Sequence, residues 1–152
     1  MKLLCDEMLQ GLGRWLRTAG YDTAIAATGA ADQTLLSLAA DQRRILLTCD
    51  RALAEAAPGA VRALVLATER LDPAAQEVRE RLGVDWLHRP FTRCLRCNTK
   101  LRPAAGRELA GLPEETRQGA GPFTACPSRC RIYWPGSHVR RMRARLERWQ
   151  AG

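Results

Sequence analysis

The stretch Ile45-Leu46-Leu47-Thr48-Cys49-Asp50 decides how the rest of the chain is read. Two arginines, Arg43 and Arg44, precede a short apolar run that stops on a carboxylate. Such a run predicts a buried strand. The chain opens on a second run of the same design, Leu3-Leu4-Cys5-Asp6, followed at once by Glu7. In parallel α/β sheets, ligands bind just outside the carboxyl ends of the strands. If the two strands are neighbours, Asp6 and Asp50 converge on one spot. Adjacent carboxylates repel and raise each other's pKa unless a cation sits between them. A hard divalent ion such as Mg²⁺ or Mn²⁺ suits an oxygen-only ligand set. The competing reading is that each Asp merely caps the helix that follows its strand.

Working outward, Leu9, Leu12, Leu16 and Ala19 share one helical face, which predicts a helix over 7–19 with Arg14 and Arg17 on its polar side. Gly20 closes it. A weaker, alanine-rich strand is expected over 21–27, turned at Gly29. Asp32 is placed as the N-cap or first-turn acid of a helix through Leu35, Leu36, Leu38 and Ala39. After Asp50 come a short helix over 52–56 stopped by Pro58-Gly59, an apolar strand over 61–67, and a helix from Pro73 to Leu82 stopped by Gly83. A last short strand is expected over 84–87. Strands alternating with helices predict an α/β fold with a parallel sheet.

Charge is unevenly divided. Residues 1–90 carry 11 Lys/Arg against 12 Asp/Glu, a balance of −1, whereas residues 91–152 carry 13 against 4, a balance of +9. The basic excess therefore belongs to the second part, and it points to a nucleic-acid partner over a merely solubilising surface. Composition also changes near Pro90: aliphatic runs fade, arginines multiply, and the stretch 103–122 is rich in Pro and Gly and reads as loop. The expected organisation is an α/β domain over 1–90 and a basic module over 91–152. Its last stretch, over 137–150, reads as a helix carrying Arg140, Arg141, Arg143, Arg145 and Arg148. No apolar run approaches the roughly 20 residues of a membrane span. Asp6 and Glu7 fall too early for a signal peptide, so the expected location is the cytoplasm.

Four of the six cysteines, Cys94, Cys97, Cys126 and Cys130, cluster in the basic part. In a reducing compartment this pattern points to a metal before disulfides. Cys94-Leu95-Arg96-Cys97 is a knuckle, Cys126-Pro127-Ser128-Arg129-Cys130 is a second half, and four thiolates suit structural Zn²⁺. The second pair is one residue wider than usual. Two disulfides and unrelated core thiols are the alternatives. Cys5 and Cys49 each precede a strand-end acid and read as small buried hydrophobes before a redox pair.

Two blocks carry a resemblance. Asp6-Glu7-Met8-Leu9, Leu12-Gly13-Arg14-Trp15-Leu16-Arg17, Gly20-Tyr21-Asp22 and Arg44-Ile45-Leu46-Leu47-Thr48-Cys49-Asp50-Arg51 resemble the PIN-like ribonuclease domain named after the C-terminal part of the Mut-seven exoribonucleases. Cys94-Leu95-Arg96-Cys97-Asn98 and Arg131-Ile132-Tyr133-Trp134-Pro135-Gly136-Ser137-His138 resemble that family's appended zinc ribbon. The likeness spans nearly the whole chain. It implies a PIN-like parallel sheet with flanking helices, followed by a small zinc ribbon, and a nuclease that cuts RNA with Mg²⁺ or Mn²⁺. Carried over, Asp6 and Asp50 match the first acid and the Thr-x-Asp acid, and Asp32 matches the acid opening the second helix. The chain departs from the pattern twice. No fourth acid follows Asp50 in a suitable place, Glu55 and Glu69 being poor candidates. Where the family has Cys-x-x-Cys, position 129 is Arg and the cysteine is shifted to Cys130.

The expected chemistry is hydrolysis of an RNA phosphodiester by metal held on Asp6, Asp32 and Asp50, with tRNA and rRNA as candidate substrates. Arg14, Arg17 and Arg51 are candidate phosphate contacts, as are His138, Arg131, Arg140 and Arg141 in the basic part. Tyr133 and Trp134 are either base-stacking platforms or the mini-core of the cysteine module. The rival is a non-catalytic RNA- or ribosome-binding protein on a PIN-like scaffold whose acids have decayed. A lone-domain toxin is the third class, disfavoured by the appended module.

Overall fold

The computed structural model describes residues 1–119, 121–128 and 131–152. β1 (Lys2–Cys5) lies inside a four-stranded sheet, with β2 (Asp22–Ile25) on one side and β3 (Ile45–Thr48) on the other. β4 (Ala63–Val65) pairs with the far edge of β3, so the order is β2-β1-β3-β4 and every pairing is parallel. The chain steps outward from β1 to β2, then returns across β1 to β3. The strand order thus reverses between β1 and β3, and a crevice opens at their carboxyl ends.

β1 and β3 read as unbroken apolar runs because these two inner strands are buried on both faces. Leu3, Cys5 and Leu47 point into one core with α1 (Gln10–Thr18) and α4 (Leu71–Leu82). Leu4 and Leu46 point into the other, with α2 (Asp32–Gln42) and α3 (Arg51–Glu55). A 3₁₀ turn over Glu7–Leu9 leads from β1 into α1, so the helix expected over 7–19 begins in a tighter turn. Asp32 is the first residue of α2, with Ala31 as N-cap; it is a first-turn acid and not the cap. α4 starts at Leu71, two residues ahead of Pro73, and ends at Gly83 with φ +67°.

The strand expected over 84–87 does not form. Val84 and Trp86 are buried as an apolar run predicts, but the backbone donors there are taken by distant side chains. The Asp85 amide donates to the Tyr21 hydroxyl and the Trp86 amide to Gln150 Oε1, at 2.9 and 2.8 Å. With its donors already satisfied, the segment needs no sheet edge.

Beyond residue 90 a knuckle over 93–100 leads to three two-residue strands, β5 (Arg102–Pro103), β6 (Thr124–Ala125) and β7 (Ile132–Tyr133), paired antiparallel in that order. The Pro/Gly-rich stretch expected as loop contains two single-turn helices, α5 (Gly106–Leu109) and α6 (Glu114–Arg117). The last helix, α7 (Ser137–Ala151), returns to the parallel sheet's own core. Its Trp149 ring meets Trp15 edge-on at 5.0 Å and Trp86 at 4.8 Å. Asp72 accepts from Arg145 Nη2 and Trp149 Nε1, at 2.7 and 2.9 Å, which clamps α7 to the start of α4. The hydrogen bonds and charge of Arg145 hold the Asp72 carboxyl below its ordinary pKa. The basic part is therefore bound into the α/β unit at its far end as well as at the knuckle.

Gly20 stops α1 with φ +100°, and a Cβ there would lie 2.4 Å from the Arg89 carbonyl oxygen. Turn geometry and close backbone approach both demand glycine. Gly20→Ala is expected to lower stability by roughly 2 kcal/mol or more. For a chain of this size that is a melting-point drop of about 4–8 °C, readable by thermal unfolding. A change of less than about 2 °C would contradict the steric argument.

Candidate active site

β1 and β3 each deliver an Asp at the carboxyl edge of the sheet. Asp6, Asp32 and Asp50 line one cleft of about 120 Å³, together with Glu7, Met8 and Leu35. The parallel register of Cys5 with Leu47 makes this geometry. It leaves Asp6 and Thr48 side by side, and the fully buried Thr48 hydroxyl donates to Asp6 Oδ2 at 2.7 Å. The same oxygen of Thr48 accepts the Asp50 amide at 2.9 Å. Thr48 therefore ties both strand ends to one hydroxyl.

Asp50 is also the N-cap of α3. Its Oδ1 accepts the amides of Ala52 and Leu53, at 2.8 and 3.2 Å. Capping and a site role are not exclusive here, because a carboxylate has two oxygens. Oδ2 of Asp50, Oδ1 of Asp6 and both oxygens of Asp32 have no partner among the described residues. Among the described residues no arginine forms an ion pair with these acids.

Sequence reasoning found no fourth acid because it looked after Asp50. The structure brings Glu7 to the cleft from the 3₁₀ turn, its Oε2 accepting the Gly29 amide at 2.6 Å. The signal was present in the chain as the acid directly following Asp6, on the first turn out of the strand. Thr48 was missed as well, although a hydroxyl two residues before a strand-end Asp is where such a bridge belongs.

The donor set fits a hard divalent cation: carboxylate oxygens with free lone pairs around a space able to hold an ion and several waters. No three of these carboxylates approach one another within 4.8 Å, a spacing that among the described residues belongs to Cys94, Cys97 and Cys126. An ion at the acids would keep much of its water shell.

The cysteine cluster could hold a metal ion. The Cys97 and Cys126 sulfurs lie 3.4 Å apart, close to the ~3.8 Å edge of a tetrahedral zinc–thiolate site with Zn–S near 2.3 Å. Cys130 and Arg129 lie outside the described residues. Tyr133 belongs to this cluster: its hydroxyl contacts Cys94 Sγ at 3.3 Å and accepts the Leu95 amide at 3.1 Å. Burial, followed by the Cys94 contact, pushes its phenol up to about 12. These hydroxyl contacts accord with the mini-core alternative for Tyr133, which is half-buried. Trp134 is exposed, as are Arg14, Arg51, Arg131, His138, Arg140 and Arg141.

Arg17 corrects the expectation of a polar-face residue. It is buried, and its guanidinium donates to the carbonyls of Thr23, Leu95 and Arg96 at 2.8–2.9 Å. It bolts the knuckle to α1 and β2, with Nε and Nη1 committed to these carbonyls. Beside it, Asp22 accepts from Arg44 at 2.7 Å and from Asn98 Nδ2 at 2.8 Å. Asn98, at φ +69°, accepts the Thr23 amide in return. Burial raises the Asp22 carboxyl, but the Arg44 and Asn98 hydrogen bonds outweigh it and hold the pKa below the ordinary range.

Burial pushes the Cys5 thiol up to about 12 and also raises Cys49, so neither is a ready thiolate. The small-hydrophobe reading of Cys5 agrees with its complete burial.

The model of the Mut7-C RNAse domain family matches residues 1–146 of the 152-residue chain. The chain belongs to that family. No curated protein and no solved structure matches it. Membership indicates a ribonuclease-like function with RNA as substrate or partner. The matched span takes in both the strand ends that carry the acid cleft and the knuckle that Arg17 and Asn98 dock.

Arg17→Met retains bulk but strips hydrogen bonds from three carbonyls, one buried and two part-buried, at an expected cost of roughly 3 kcal/mol. The knuckle should loosen with it, so Cys97 should react faster with a thiol reagent. The salt dependence of RNA binding should not change. A normal melting point with a shallower salt slope would return Arg17 to the RNA surface.

Proposed function

We propose that the chain is a divalent-metal-dependent ribonuclease whose centre is the cleft between β1 and β3. The observation carrying this reading is the convergence of Asp6, Asp32 and Asp50, joined by Glu7, at the switch point of a parallel sheet in an RNAse-domain family member. Asp6 and Asp50 would hold Mg²⁺ or Mn²⁺ through the oxygens left free by Thr48 and by the α3 cap, with Asp32 facing them from α2. Such an ion, when bound, lowers the pKa of a coordinated water and neutralises charge on the phosphate. Thr48 fixes the Asp6 rotamer by donating to Oδ2 and thereby orients its other oxygen. The α3 amides fix Asp50 in the same way. Glu7, tethered to the Gly29 amide, adds negative charge at the rim and would serve to accept a proton from an attacking water.

The cysteine cluster is assigned a structural Zn²⁺, with Cys130 as the fourth thiolate beside Cys94, Cys97 and Cys126. The exposed arginines of the basic part, Arg131, Arg140 and Arg141, together with His138, Arg14, Arg51 and the Trp134 ring, are assigned to holding the RNA strand.

Asp6→Asn and Asp50→Asn should each lower Mg²⁺- or Mn²⁺-dependent cleavage of RNA by about 10²-fold or more, with RNA affinity retained. Asp50→Asn keeps a capping oxygen, so its melting point should stay near that of the parent. Binding without cleavage by the parent protein, across varied RNAs and both metals, would favour the non-catalytic RNA-binding reading. Chelation of zinc should release one equivalent of metal and lower the melting point. Protein that carries no zinc, with an unchanged melting point in chelator, would refute the structural-zinc assignment.

A further inference from the structure

A second cleft lies away from the acidic one. About 310 Å³ opens at the opposite, amino-terminal edge of β1 and β2, where the α/β unit meets the knuckle. Its chemistry is the reverse of the first: His88, Arg89, Arg93 and Lys100 line it, with Asp22 as the one acid among its lining residues. Asp22 is already occupied by Arg44 and Asn98. Arg93 is anchored too, donating to the Gly20 and Asn98 carbonyls at 3.1 and 2.8 Å. Arg89 and Lys100 are exposed, and their side chains have no partner among the described residues. Uncompensated cations around a concavity raise the local concentration of anions.

The segment that presents Arg89 is pinned to the end of α1 by hydrogen bonds. The Arg89 amide donates to Ala19 O and the Phe91 amide to Thr18 O, at 3.0 and 2.8 Å, while Thr92 Oγ1 donates to Arg89 O at 2.7 Å. Gly20, which lets the Arg89 carbonyl approach, belongs to the same device. Beside the cations one face of the His88 ring is stacked on Tyr21, with centroids 5.1 Å apart and 21° between the planes. His88 is exposed, so its other face is open to a base. Paired cations next to a fixed ring are what single-stranded nucleic acid requires: charge for the phosphates, a flat surface for one base.

We infer that this basic cleft is a second RNA site, in which Arg89 and Lys100 take backbone phosphates of a single strand and the free face of His88 takes a base. The inference rests on the ribonuclease reading for its choice of ligand. The two clefts lie at opposite ends of a four-residue strand, roughly 13 Å apart along it. The basic cleft is therefore an anchor remote from the acids, able to hold RNA while another part of the strand is cut.

The test is fluorescence anisotropy of a labelled single-stranded RNA on the full chain, without added divalent metal, over a range of salt. Relative to the parent, Arg89→Ala/Lys100→Ala should weaken binding by roughly 10- to 30-fold at 0.1 M salt and flatten the log–log salt slope by about 1.4, near 0.7 per phosphate contact. Arg62→Ala/Arg117→Ala, which removes equal charge from exposed positions elsewhere, should do neither. His88→Ala should weaken binding and leave the slope alone. Equal loss in the control pair, or an unchanged slope in Arg89→Ala/Lys100→Ala, would overturn the proposal. So would displacement of the RNA by low-millimolar inorganic phosphate at constant ionic strength, which would make the cleft a free-anion site. Parent protein that binds RNA through this cleft yet cuts none with Mg²⁺ or Mn²⁺ would sink the ribonuclease reading and leave the anchor standing. Normal cleavage with an intact slope in the double variant would do the converse.

Discussion

Thr48 donates to Asp6 across two strands, and that contact exists because β1 and β3 lie side by side in parallel with Cys5 opposite Leu47. Forty-two residues separate the partners in sequence. A slip of one residue would turn every side chain of β3 to the other face and carry Thr48 away from Asp6. Because Leu46 and Leu47 fill different cores, the slip is penalised on both faces of the sheet. Packing of the two helical layers thus fixes the register, the register fixes the hydroxyl, and the hydroxyl fixes the carboxylates. Asp32 and Asp50 are exposed, so the oxygens they leave uncommitted are open to water or a ligand.

A second constraint joins the halves of the chain. The knuckle is too small to fold on an apolar core, and it leans on buried polar contacts instead. Arg17 satisfies three carbonyls from two segments, and Asp22 gathers Arg44 and Asn98. Such groups contribute little if complete and cost several kcal/mol if one member is lost. They therefore specify one orientation of the knuckle. At the other end α7 inserts Leu146 and Trp149 into the sheet's own core, so the basic residues of the C-terminal part are held in a fixed relation to the sheet. In the proposed function, that fixed relation would let one strand of RNA address both the cationic surface and the acidic cleft.

Where periodicity reports burial, the sequence was legible. The apolar stripe of α1, the glycine stops at Gly20 and Gly83, and the two apolar runs ending in Asp6 and Asp50 all became the elements they suggested. It was not legible where a side chain's partner lies far along the chain. Arg17 neighbours Leu16 on the edge of the stripe, and nothing local shows that Leu95 and Arg96 will offer it carbonyls. Val84 and Trp86 are as buried as strand residues, but the Tyr21 hydroxyl and the Gln150 amide answer their segment's backbone. Glu7 was overlooked for a different reason: a 3₁₀ turn redirects it, and residue spacing alone does not reveal such a turn. Asp6 and Asp50 were readable as strand ends and Asp32 as a first-turn acid, while the approach of Glu7 and the anchoring by Thr48 required three dimensions.

The most direct test is to locate a divalent ion in crystals soaked with Mn²⁺, using anomalous scattering. A peak in the cleft between β1 and β3, about 2.2 Å from a carboxylate oxygen of Asp6 and of Asp50, is the result the account predicts. Saturating Mn²⁺ that leaves this cleft without a peak, or that binds only elsewhere on the molecule, would contradict it.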